Sequence, residues 1–115
     1  MKTNVIAKIE IEGLHNWPAA DQIFPEVGFL SHMHRHKWYI TAKKPVHHDD
    51  RDVEFILFGR DIKQWLEHEY YNPNSRTHEF GAKSCEMLAK EIMEEFGCCY
   101  VSVFEDNENG AEIYE

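Results

Sequence analysis

A chain of 115 residues is the length of one domain. Its 21 acidic and 12 basic residues give a formal charge of −9, which argues against nucleic acid as a partner, because binders of the phosphate backbone concentrate Lys and Arg. Apolar residues make up 43%, enough for a core with little to spare, so association into a homo-oligomer would help it.

In chain order, residues 5–12, VIAKIEIE, alternate with Ala7, Ile9 and Ile11 on one side and Lys8, Glu10 and Glu12 on the other. Period two predicts a half-buried strand. HNWPAADQIFPEVGF follows, broken by Pro18, Pro25 and Gly28, and reads as a loop. A second strand is predicted from residue 33 to about 43, through Trp38, Ile40 and Ala42. KKPVHHDDRD is a polar turn, and VEFILF, Val53 to Phe58, reads as a third strand in hairpin with the second. RDIKQWLEHEYY has helical spacing through Ile62, Trp65 and Leu66. NPNSRTHEFG reads as a loop. SCEMLAKEIMEEFG is the clearest helix, with Leu88, Ile92 and Phe96 four apart, Ser84 as N-cap and Gly97 as C-cap. CCYVSVFE alternates as a strand, and Asn109-Gly110 marks a tight turn into a returning strand, AEIYE. Three strands, two helices and two strands predict a single α+β domain over 1–115, with an antiparallel sheet and two helices packed on one face. A sheet this small has open edges that invite assembly between subunits.

The three cysteines, Cys85, Cys98 and Cys99, are odd in number and form no CxxC pair. A disulfide framework is therefore not expected, and a reducing, cytoplasmic setting is the simpler one. The opening MKTNVIAKIEIEG has no long apolar run, so neither a signal peptide nor a membrane span is expected.

The stretch SHMHRHKWYI places His32, His34 and His36 on alternate positions. His-x-His on a strand presents two imidazoles from one face, about 6.6–6.8 Å apart along the strand. Imidazole nitrogen suits zinc, and catalytic zinc commonly has three protein ligands and one open position. Three histidines along one straight strand spread too far to share an ion, so the third ligand comes from His15 or His32. Exposed strand histidines in a chain with eight of them are the alternative. His47 and His48, in a turn with Asp49 and Asp50, read as solvated.

Several segments together are similar to the 6-pyruvoyltetrahydropterin synthase / 6-carboxytetrahydropterin synthase family, of the T-fold group. EGLHNWP gives a histidine and proline after strand one; HRHKW resembles the His-Gly-His-Asn-aromatic motif; LFGRDIK keeps Phe58 and Lys63. SCEMLAKEI keeps Glu86, and VFEDNENGAEIYE keeps Glu105, Ala111 and Tyr114. The resemblance implies a Zn2+ site from His15, His34 and His36, with His32 as an extra. It implies Glu105 as anchor for the 2-amino-pyrimidinone edge of a pterin or purine-like ligand, with Glu86 also at the substrate. A carboxylate suits that edge because it accepts two adjacent N–H bonds. Trimers or hexamers are implied as well.

The chain also departs from that family. Its catalytic cysteine has no counterpart in AADQIFPEVGFLSHM, where Glu26 stands as a candidate base. The family's Asp-His pair becomes Glu67-His68, which can still move a proton, and the glycine between the two histidines becomes Arg35. Two functions are therefore expected as alternatives: a zinc-dependent lyase-type enzyme acting on dihydroneopterin triphosphate or a related pterin, or a protein of the same fold that binds such a ligand without turnover. A third is an α+β domain with incidental histidines.

Overall fold

Two long strands form the centre of the molecule. In the computed structural model, which describes residues 1–115, β1 (Thr3–His15) pairs antiparallel with β2 (His34–Val46) along its whole length. Between them run a short helix, α1 (Ala20–Ile23), and a 3-10 segment, Pro25–Ser31. After β2 come α2 (Phe55–Tyr70), β3 (Tyr71–Asn72), β4 (Thr77–Gly81), α3 (Cys85–Phe96), β5 (Tyr100–Glu105) and β6 (Asn109–Tyr114). The six strands form one sheet in the order β3-β4-β1-β2-β5-β6. All pairings are antiparallel except β1 with β4. The α+β class, with its mostly antiparallel sheet and helices on one face, is as the sequence predicts.

The sheet's inward residues meet the apolar faces of α2 and α3. Ala7 and Ile9 of β1, Trp38, Ile40 and Ala42 of β2, and Val101 and Val103 of β5 are buried against Phe58, Ile62 and Leu66 of α2 and Leu88, Ala89 and Ile92 of α3. The α3 caps form as predicted: the Ser84 side chain accepts from Met87 N–H at 3.2 Å, and Gly97 closes the helix at φ +64°.

Three expectations are corrected. Val53–Phe58 is not a strand: Glu54 caps α2, its carboxylate accepting from the N–H groups of Ile56 and Leu57, so the helix begins at Phe55. Phe58, Ile62 and Leu66 then recur every four residues on the buried face, and helical packing overrides the local aliphatic run. The helix ends at Tyr70, and Tyr71 together with the segment read as a loop, NPNSRTHEFG, forms the β3–β4 hairpin, β4 joining the edge of β1. The last turn lies at Asp106 and Asn107, both left-handed (φ 54° and 56°), while Asn109-Gly110 opens β6.

Candidate metal centre

The inward row of each central strand changes character at one end of the sheet. Along β1 it runs Ala7, Ile9, Ile11, Gly13, His15; along β2 Ala42, Ile40, Trp38, His36, His34; along β5 Val101, Val103, Glu105. The register sets His15 opposite His34, Gly13 opposite His36, and Trp38 opposite Glu105. One atom each from His15, His34, His36 and Glu105 converge, all within 4.8 Å of one another. Trp38 forms the floor, fully buried, its ring centroid 4.7 Å from that of His15 and its Nε1 donating to the Gly13 carbonyl at 3.0 Å.

The second nitrogen of each ring decides the tautomer. His15 Nδ1 lies 3.0 Å from the Lys83 carbonyl oxygen and His34 Nδ1 lies 2.7 Å from that of His32. A carbonyl only accepts, so both Nδ1 atoms carry the proton. His36 Nδ1 meets the Asp106 carboxylate at 2.7 Å and donates in the same way. In the neutral rings all three Nε2 lone pairs therefore face the common centre. Those three Nε2 atoms and Glu105 Oε2 are shut off from solvent without a hydrogen bond. Glu105 Oε2 approaches His15 Nε2 at 2.8 Å and His36 Nε2 at 3.2 Å without hydrogen-bond alignment.

Charge in the cluster follows from these contacts. Burial alone would lower the His15 pKa, but the Glu105 carboxylate beside it and the Lys83 carbonyl raise it above the ordinary value. Burial pushes Glu105 up, and the three imidazoles outweigh this and hold it below the usual carboxylate range. Asp106 is likewise lowered by its bond from His36. Ligand atoms that are buried, convergent and unpaired, with imidazoles oriented from behind, fit a divalent cation. His78 shares the donor pattern, giving Nδ1–H to the Glu12 carbonyl at 2.9 Å, but it lies among Tyr71 and Phe80 outside the cluster.

A cleft of about 410 Å³ opens onto the cluster, with His15, His34 and Glu105 on its wall. Trp17, Leu30 and Met87 give it apolar surface, and Glu86 contributes a second carboxylate from the first turn of α3. Cys85 also reaches this wall, but burial pushes its thiol up to about 12. The structure thus brings His15, His34, His36, Glu105 and Glu86 to one place. Glu26 stays exposed in the 3-10 segment. Glu67 and His68 lie on the exposed side of α2, where the nearest acid to His68 is Glu69 at 3.8 Å. None of these three lines the cleft. His32 contributes its carbonyl rather than its ring. Two residues of the centre carry no signal in the sequence: Lys83, which acts through its backbone, and Asp106, a single acid in a turn.

Fold and site together define an α+β domain with a three-histidine, one-glutamate cluster at the open end of its sheet. No family model and no curated protein matches the chain. A crystal structure of the uncharacterized protein WS1659 from Wolinella succinogenes has a similar fold, with a TM-score of 0.59 at 9% identity over 100% of this chain and 99% of that one. No helix is long and apolar enough to cross a membrane.

Proposed function

We propose that the chain is a metal-dependent protein, similar to the 6-pyruvoyl/6-carboxytetrahydropterin synthase family, that acts on a pterin-like ligand in the cleft. One observation carries this reading: three histidines fixed with Nδ1–H pointing outward and unpaired Nε2 atoms converging beside Glu105. His15, His34 and His36 would hold zinc, with Glu105 at the fourth position or next to it. Bound there, zinc supplies Lewis-acid polarisation of a ligand oxygen, which acidifies the neighbouring C–H. The cleft volume is within the range of small-molecule sites and suits a fused bicyclic ring. Glu105 turns its Oε2 into the cluster, 2.8 Å from His15 Nε2, so Glu86 is the second carboxylate on the cleft wall able to take the amino-pyrimidinone edge. Glu105, 27% exposed at its side chain and held below the usual carboxylate range, stays ionised beside the cluster and lends it negative charge. The terminal strand β6 and the stretch of β1 before Gly13, which β4 leaves unpaired, support assembly into a homo-oligomer.

Binding without turnover is the second reading. The thiolate base of the family is absent from the loop, and Cys85, at about 12, stays a thiol at neutral pH. Incubation of the zinc-loaded protein with dihydroneopterin triphosphate separates the two. Release of triphosphate, lost in Glu105→Gln, supports the enzyme. Saturable binding without release, weakened in Glu86→Gln, supports the binding protein. No binding of pterin or purine overturns both.

A further inference from the structure

Asp106 stands immediately after Glu105, where β5 turns toward β6. Its Oδ2 accepts from His36 Nδ1 at 2.7 Å, and its Oδ1 accepts from the Lys37 backbone N–H at 3.0 Å. Its own N–H donates to the Lys37 carbonyl at 2.7 Å. Three bonds thus fix this residue to β2, in a left-handed turn conformation that Asp and Asn tolerate. The other two rings lean on neutral carbonyls; His36 alone leans on a charge. We propose that Asp106 is a positioning residue for the metal centre, holding His36 in the Nδ1–H tautomer with Nε2 on the cluster and strengthening that ring as a donor to a divalent cation. This rests on the metal reading of the cluster. The carboxylate–imidazole–metal arrangement is the usual means of orienting a ligating histidine. An amide cannot replace it: Asn has one acceptor oxygen, so either the Lys37 N–H or the His36 Nδ1–H is left facing an NH2 group.

The test combines two measurements on the wild-type protein, Asp106→Asn and Asp106→Ala. Long-range proton–nitrogen NMR of the metal-free protein at mildly alkaline pH reads the tautomer of each ring. Competition with a chromophoric chelator reads the zinc Kd. His36 is expected as the Nδ1–H tautomer in the wild type and as a mixture in the variants, with His15 and His34 unchanged. Zinc affinity is expected to fall about 10- to 100-fold. Asp106→Asn, which keeps the turn, decides the matter if Asp106→Ala does not fold. Variants that lose thermal stability but keep the wild-type Kd and tautomer overturn the inference and leave Asp106 a hairpin residue. Wild-type protein that binds no zinc overturns the metal reading itself, and this inference with it.

Discussion

Gly13 faces inward opposite His36, and its lack of a side chain is a packing requirement. A Cβ built there would lie 2.4 Å from Phe80 Cε2 and 2.9 Å from Trp38 Nε1. Both rings are buried, Phe80 2% exposed and Trp38 0%, so neither can swing into solvent. Gly13→Ala therefore forces them apart, and overpacking of this kind costs about 1–3 kcal/mol. The bond from Trp38 Nε1 to the Gly13 carbonyl is strained by the same shift, adding about 0.5–1.5 kcal/mol. Alanine stiffens the unfolded chain and recovers about 0.4–1 kcal/mol. The net expectation is a loss of about 2 kcal/mol, read as a lower urea midpoint at unchanged slope in metal-free protein. Trp38 packs against both His15 and His36, so zinc affinity should fall as well. Gly59→Ala is the control: its Cβ would meet only Ala7 Cβ at 3.8 Å, on a helix, where alanine stabilises by up to about 1 kcal/mol. A Gly13→Ala protein within about 0.5 kcal/mol of the wild type, the spread of innocuous surface changes, would show that Phe80 and Trp38 make room at Gly13 without cost.

Glu54→Ala removes the α2 cap and should cost about 1 kcal/mol by chemical denaturation; no loss would argue that the helix does not begin there. Cys85 and Cys98 are pushed up by burial to about 12 and about 11, so a thiol reagent at about pH 8 should react quickly with Cys99 alone, and with all three only in denaturant. Fast reaction of all three in the native protein would contradict that burial. Keeping those two thiols neutral stabilises the fold fully below the ordinary value of 9.0, and this stability is lost as pH climbs through about 11 and 12. Thermal unfolding midpoints should accordingly fall on the alkaline side, and less steeply in Cys98→Ala. Zinc at about one hundred times its Kd should add about 2.7 kcal/mol, raising the midpoint by about 10 °C, with chelator reversing the gain; an unmoved midpoint would count against the site.

The parity of the strands was legible. Alternation in VIAKIEIE and in SHMHRHKWYI places His15, His34 and His36 inward once the strands are drawn, and alternation in CCYVSVFE does the same for Glu105. The meeting of Glu105 with the histidines was not legible, because it depends on the β2–β5 register that sets Trp38 opposite Glu105. VEFILF reads equally as a short strand or a helix start, and the tie is broken by the Glu54 cap and by Ile62 and Leu66 further on. The β4 strand has no local signature; it exists because the open edge of β1 near Gly13 accepts it. Lys83 and Asp106 escaped for a related reason. One acts through a carbonyl and the other from a turn, and neither position leaves a period in the sequence.

The proposed function depends on metal binding by three histidines. Metal content measured on protein purified without added metal, followed by zinc titration of the wild type and of the His34→Ala/His36→Ala variant, tests it most directly. One divalent ion per chain is expected in the wild type and none in the variant, with the same far-UV circular dichroism for both. Wild-type protein that neither carries nor takes up zinc, or a variant that binds it as tightly, would contradict it.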